Sequence, residues 1–219
     1  SNLNRLMFEN ETDFMIAVST GGEVLMRGED RERYGDSLAD DPVVWRALDG
    51  KIAVNVAVEE SITVPTVSIR AASPIVDTES GEPKVVGAII TGLLLDTAFV
   101  DGIKKITGLD VTVFANDIRS ANTITVPGSQ SRLIGTHESN QKILGVVLKE
   151  KKTYIGTSLI LSQPYLSSYI PINDIEETTV GMFFTGRSQS SILDLASRTI
   201  QLTFLISTAL MFLSIIPLR

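Results

Sequence analysis

Arg70 has the strongest chemical reason of any residue in this sequence to hold a ligand. It stands in the run Val67-Ser68-Ile69-Arg70-Ala71-Ala72, whose apolar and β-branched residues read as a half-buried strand. A guanidinium placed there needs an anion, because a buried charge without a partner is costly. The anion could be the carboxylate of a small ligand, or an acidic side chain such as Asp77 or Glu82. Ser68 lies two residues away, on the same face by strand alternation, and could add a hydrogen bond. Trp45 and Arg46 fall on a short helix expected to cover the sheet. They could stack on or clamp a ligand, while Trp45 could equally be core.

Other chemistries are excluded by inventory. The chain has no cysteine, so disulfides, thiolate metal sites and a cysteine nucleophile are absent. His137 is the sole histidine, too few for a zinc or non-haem iron site. The acidic residues Asp36, Asp40 and Asp41 match no calcium-loop spacing and read as a solvated face. No nucleophile elbow, phosphate-binding glycine loop or metal-binding helix motif occurs. The expectation is a non-enzymatic chain with neither cofactor nor metal. A net charge of −7, without a cluster of Lys and Arg, argues against a nucleic-acid surface.

The elements that would position these residues can be read in order. Leu3, Leu6, Met7 and Asn10 have helical spacing, so residues 1–12 read as the end of a helix that begins upstream. Two β-prone runs, Phe14-Met15-Ile16-Ala17-Val18 and Val24-Leu25-Met26, flank Thr20-Gly21-Gly22 and predict a hairpin. Residues 28–41 are a polar loop. Pro42 opens a helix through Leu48, closed by Gly50, and strands follow over residues 52–58 and 66–72. Asp96 is a candidate N-cap for a helix whose apolar face is Phe99, Val100, Ile103 and Ile106, with Gly108 as its stop. The alternating run Asp110-Val111-Thr112-Val113-Phe114 opens a second set of strands.

A weak internal repeat sets the architecture. Pro74-Ile75-Val76-Asp77 matches Pro171-Ile172-Asn173-Asp174, and Val86-Gly87-Ala88-Ile89-Ile90-Thr91-Gly92 matches Val180-Gly181-Met182-Phe183-Phe184-Thr185-Gly186. Each half thus needs a turn after its aspartate, with Asp77 and Asp174 bonding to later backbone amides, and a return strand that passes closely at its glycines. Duplication of one α/β module is the economical reading. The expected modules are residues 13–95 and 96–187, followed by a stalk helix over 188–198.

Residues 199–216 run for eighteen residues without a charge, twelve of them Ile, Leu, Phe, Met or Ala. As a helix that is about 27 Å, close to the hydrocarbon thickness of a bilayer. Apolar groups at Leu210-Met211-Phe212-Leu213 surround the helix, so a transmembrane segment is expected, with a buried core helix as the alternative. Residues 217–219 would then begin a cytoplasmic linker.

Taken together, these residues resemble the double Cache sensors, extracytoplasmic relatives of PAS domains found in histidine kinases, chemoreceptors and cyclases. In the first module the resemblance rests on Arg31-Glu32-Arg33-Tyr34-Gly35-Asp36-Ser37, Ala47-Leu48-Asp49-Gly50 and Val67-Ser68-Ile69-Arg70-Ala71-Ala72-Ser73-Pro74-Ile75. In the second it rests on Thr107-Gly108-Leu109-Asp110-Val111-Thr112-Val113-Phe114, Tyr154-Ile155-Gly156 and Tyr169-Ile170-Pro171-Ile172-Asn173-Asp174. The closing Ile215-Ile216-Pro217-Leu218-Arg219 is similar to the opening of a HAMP linker. The resemblance implies an α+β fold of two tandem PAS-like modules with antiparallel sheets, on a homodimeric receptor of the bacterial cytoplasmic membrane. It implies sensing of a small carboxylate or amino acid between sheet and covering helix. A histidine kinase is the favoured output. A chemoreceptor, a cyclase sensor and a membrane-anchored protein-binding module are the alternatives. Tyr154 and Tyr169 match aromatic positions of the family. Arg132 and His137 precede the second module's helix and complete the candidate set, with plain packing as the competing role. Trp45-Arg46 departs from the Arg-x-Trp order of the amino-acid-binding version, which leaves an amino-acid ligand as one option among several.

Overall fold

The computed structural model describes residues 2–79, 81–189 and 203–206. It holds two five-stranded antiparallel sheets of identical strand order, and the α+β double-module expectation is met. Helix α1 (Asn2–Glu9) leads into β1 (Phe14–Val18) and β2 (Val24–Arg27), joined by a turn in which Gly22 takes φ 78°. Helix α2 (Pro42–Leu48) is followed by β3 (Ala53–Glu59), β4 (Thr66–Asp77) and β5 (Lys84–Leu94). The first sheet runs β2-β1-β5-β4-β3.

Helix α3 (Thr97–Thr107) starts where Asp96 accepts a hydrogen bond from Phe99 N and stops at Gly108, φ 70°. The second sheet then runs β7-β6-β10-β9-β8, from β6 (Asp110–Ala115), β7 (Ile118–Asn122), β8 (Tyr154–Ile160), β9 (Gln163–Asn173) and β10 (Thr179–Ser188). Its covering helix α4 (Gln141–Leu144) continues as a π-helical turn, Gly145–Lys149.

The repeat is a structural one. Pro74 pairs with Ala88 and Pro171 with Met182, so the two long hairpins share one register. The return strands cross their neighbours closely at Gly87 and Gly181. A Cβ there would collide with the carbonyl oxygens of Val18 and Phe114 respectively. Asp77 and Asp174 serve as the turn residues expected, accepting from Glu79 N in one case and from Glu176 N and Thr178 N in the other.

Each sheet buries one face under its helix. Val43, Val44 and Ala47 of α2 pack on Val18, Val24, Ala72, Ala88 and Ile90, and each fully buried aliphatic side chain contributes about 1.5–3 kcal/mol. On the opposite face of the first sheet, Leu3 and Met7 of α1 cover Met15, Ala17 and Ile89. A third core joins the modules, where Val100 with Phe99 and Ile103 of α3 packs among Val56, Val58, Val67, Val111 and Val113. Ile106 does not join this face as the spacing suggested. It is 87% exposed, because α3 meets its neighbours over the two preceding turns only.

No helix among the described residues is long and apolar enough to cross a membrane. Residues 203–206 are helical. The rest of the expected membrane helix over 199–216, the stalk over residues 190–198 and the linker over 217–219 lie outside the described residues. The strand β10 takes in Ser188, where the stalk helix was expected to start.

Candidate functional site

Arg70 projects from β4 toward the side of the sheet that carries α2, and its side chain is 11% exposed. Three features place it. Opposite it in register is Gly92, where a Cβ would collide with the Phe14 ring, so the absence of a side chain lets that ring lie beneath the guanidinium. Arg70 Cζ sits 5.7 Å from the ring centroid, within range of a cation–π contact. Ser68 Oγ accepts a hydrogen bond from Arg70 Nε at 3.0 Å and fixes the fork's orientation, so Ser68 acts on the arginine itself. The fork then donates through Nη1 to Asp41 Oδ2 at 3.0 Å and through Nη2 to Glu59. An intramolecular anion is therefore present, but it is neither Asp77 nor Glu82. Those two belong to the β4–β5 hairpin, at the far end of the strand from Arg70.

A cavity of about 270 Å³ opens at this point, lined by Arg70, Asp41 and Glu59 on one side. Phe14, Ile16, Leu38, Ile90 and Leu94 supply its apolar surface, and Asp13, Arg27, Glu29, Arg33 and Asp36 complete the wall. Arg27 is 5% exposed and forms a two-pronged pair with Asp36, both bonds 2.7 Å, while its Nη1 also donates to Arg33 O at 2.9 Å. The hydrogen bond from Arg27 holds the Asp36 carboxyl down at about 2, well below its ordinary range. Glu29 lies 3.8 Å from Arg27 and accepts from Met15 N. The polar loop over residues 28–41 thus brings charged groups to the cavity wall, some of them, such as Asp36, still open to solvent. Asp36 and Asp41, read from sequence as a solvated acidic face, are engaged by the two buried arginines.

Trp45 and Arg46 do not reach the cavity lining. At about 100° per residue, Val43, Val44 and Ala47 take the inward face of α2 and turn Trp45 outward. Trp45 is 45% exposed and stacks with Arg46, whose Cζ lies 5.1 Å from the indole centroid. Neither the ligand-stacking nor the core position expected for Trp45 is the one it occupies.

The second module places its candidates differently. The shared register makes Tyr165, Tyr169 and Phe184 the counterparts of Ser68, Ala72 and Ile90. These three large rings stand where the first module has Ser68, Ala72 and Ile90, of which Ile90 alone lines the cavity, and they pack with Phe114 and Met182. Tyr169 is fully buried. Its hydroxyl lies 3.2 Å from Glu138 Oε2, which is paired with Arg119 at 3.0 Å, and Tyr154 meets it edge-on at 6.1 Å. Burial, then the neighbouring Glu138 charge, raises the Tyr169 phenol. Burial, then Asp110, pushes Tyr165 up to about 12. Arg132 forms a two-pronged pair with Asp101 of α3, at 2.8 and 2.9 Å, and donates to Asn122 O. It ties the loop to the linking helix. His137 faces Asp117 at 2.8 Å near the surface.

Sequence reasoning missed Arg27, Arg33 and Glu59, and also the buried pair Arg119–Glu138. Arg27 carried the same signal as Arg70, a guanidinium closing an apolar strand. Glu59 carried no such signal, since an acidic residue at a strand end is ordinary.

A family model, Single cache domain 3, matches residues 91–199. Among curated proteins none matches the chain in sequence. Among solved structures, the periplasmic domain of Vibrio cholerae LuxQ is 11% identical, with a TM-score of 0.51 over 85% of this chain and 76% of that one. The extracellular domain of the putative histidine kinase rpHK1S-Z16 is 12% identical, with a TM-score of 0.50 over 88% of this chain and 77% of that one. An extracellular ligand binding receptor from Desulfohalobium retbaense is 14% identical, with a TM-score of 0.48. There the match covers 84% of this chain, which spans only 32% of the receptor's length. At these identities the structural likeness is one of fold. Residues 91–199 thus match a Cache sensor-domain family, and the first half of the chain repeats the same sheet order.

Proposed function

We propose that this chain is the extracytoplasmic small-molecule sensor of a transmembrane signalling receptor, a sensor histidine kinase in the first instance, and that its ligand enters the first-module cavity beside Arg70. The observation that carries this reading is the cavity itself. It has an apolar floor and a wall of groups of both charge signs, whereas Tyr165, Tyr169 and Phe184 are packed into the core of the second module.

The wall chemistry favours a zwitterion. Three guanidiniums, Arg27, Arg33 and Arg70, stand against five carboxylates, Asp13, Glu29, Asp36, Asp41 and Glu59. A bare carboxylate would meet a surplus of negative charge. A molecule carrying an ammonium as well, such as an amino acid, meets partners for both ends. The ligand carboxylate would take the Arg70 fork from Glu59, and the ammonium would take the freed acidic group. Binding that favours one of two arrangements of the first module would shift a pre-existing equilibrium, which is the form signalling would take. Homodimerisation and an anchor in the cytoplasmic membrane belong to the same proposal.

The test is a thermal-shift screen of amino acids, simple carboxylates and simple amines, repeated with Arg70→Ala. A ligand at a hundred times its dissociation constant adds about 2.7 kcal/mol of stability. An amino-acid hit that disappears in a folded Arg70→Ala variant supports the reading. A hit that survives the substitution moves the ligand away from this cavity.

A further inference from the structure

The tip of the β9–β10 hairpin belongs to the second module by sequence and to the first by contact. Asn55 of β3 is 7% exposed, and its Oδ1 accepts a hydrogen bond from Ile175 N at 2.8 Å across 120 residues of chain. The Ile175 side chain packs on the first-module core, against the cluster that includes Val43, Val44 and Ala47 of α2. The tip is a stiff one. Asp174 Oδ1 accepts from Glu176 N and Thr178 N, Asp174 N donates to Thr178 O at 2.9 Å, and Lys151 Nζ donates to Glu177 O. From this tip β10 runs through the middle of the second sheet to Ser188.

The other end of the contact is the cavity. Asn55 is the direct cross-strand partner of Arg70. Four residues further along the same strand, and on the same face by alternation, Glu59 holds the Arg70 fork. Strand β3 is an edge strand, bonded within its sheet to β4 alone, so it can shift more readily than the central strands. A buried amide acceptor that loses its donor incurs the desolvation cost of an unpaired polar group, so a moving Asn55 takes the hairpin tip with it.

We infer that the Asn55–Ile175 contact is a latch through which the state of the Arg70–Glu59 pair is passed to β10 and hence toward the C-terminal end of the chain. This rests on the reading of the cavity as the ligand site. Its test uses no ligand, so an empty ligand screen and a failed latch are separate results.

The experiment is amide hydrogen exchange on the whole chain, read at Ile175 and along β10, in wild type, Asn55→Ala, Asn55→Asp and Glu59→Gln. Asn55→Ala is expected to speed exchange at Ile175 by about tenfold, the equivalent of one lost hydrogen bond. Asn55→Asp keeps the acceptor and should retain protection, which serves if the alanine variant fails to fold. Glu59→Gln alters a residue that touches neither Asn55 nor Ile175, and its side chain is 65% exposed. It is expected to change exchange at Ile175 several-fold while leaving Leu159 and Ile160 of β8 unaffected. Unchanged exchange at Ile175 in Glu59→Gln reduces the contact to a structural tie and overturns the latch. Unchanged exchange at Ile175 in Asn55→Ala overturns it as well, as does lost protection in Asn55→Asp.

Discussion

Asp41 and Arg70 are joined by a hydrogen bond of 3.0 Å, and the same carboxylate caps helix α2 through its other oxygen, which accepts from Val43 N at 3.0 Å. One side chain therefore starts the covering helix and anchors the cavity arginine. The two roles can be separated. Asp41→Asn keeps a good N-cap but loses the charge, while Asp41→Ala loses both. Urea denaturation should show Asp41→Ala destabilised by about 2 kcal/mol or more, with Asp41→Asn intermediate. Wild-type stability for Asp41→Asn would mean that the ion pair contributes nothing measurable, and equal losses for the two variants would mean that the cap does not.

The Arg27–Asp36 pair makes stability depend on acid. The folded Asp36 carboxyl sits at about 2, below its ordinary value of 3.8. Its contribution is therefore present above that ordinary value and is lost as pH falls from there through about 2. The melting temperatures of wild type and Asp36→Asn should differ at neutral pH and converge across this window. Because Asp36 lies toward solvent, added salt should narrow the neutral-pH difference.

In the second module, Glu138 neutralises buried Arg119 and lies within hydrogen-bond distance of the Tyr169 hydroxyl. Glu138→Ala leaves that guanidinium buried without its carboxylate and should cost about 3–5 kcal/mol by chemical denaturation. Tyr169→Phe removes one hydroxyl while leaving the ion pair, and should cost about 1 kcal/mol. If Glu138→Ala were as mild as Tyr169→Phe, the charge of the pair would be shown to be well solvated.

Two of the four tyrosines, Tyr165 and Tyr169, hold their protons longer than a free phenol. Absorbance at the phenolate band should find at least two phenols still protonated at about pH 11 in the folded chain. Since these pKa values are raised by folding, the associated stability is present below the ordinary phenol value of 10.0 and is lost as pH rises through about 12 for Tyr165. Full ionisation of all four below that point without unfolding would contradict the burial of these rings.

The close approaches at Gly87 and Gly181 should tolerate no side chain. Alanine at either would press a methyl group on a neighbouring carbonyl oxygen, of Val18 and Phe114 respectively. Each substitution should lower stability by about 1–3 kcal/mol, the range for overpacking. A neutral result at one position would show that its strand can shift outward.

Local chemistry made much of this protein legible before any coordinates. Pro42 and Gly50 bounded α2, Asp96 and Gly108 bounded α3, and the paired strings around Pro74 and Pro171 disclosed two copies of one sheet. Those features depend on residues close in sequence, where backbone preferences and hydrogen bonds act over a few positions. The need of Arg70 for an anion was likewise written in its strand. Its partners were not, because Asp41 and Glu59 lie 29 and 11 residues away and come within reach only when α2 folds over the sheet and β3 pairs with β4. The outward turn of Trp45 was hidden for a related reason: which arc of a short helix faces inward depends on what it packs against. The choice between modules also belonged to the tertiary structure. Ser68 and Ala72 stand where the second module has Tyr165 and Tyr169, and that comparison has meaning only once the two sheets share a register. Nor could the sequence place Asn55 beneath Ile175, since a contact across 120 residues is made by the packing of two modules against each other.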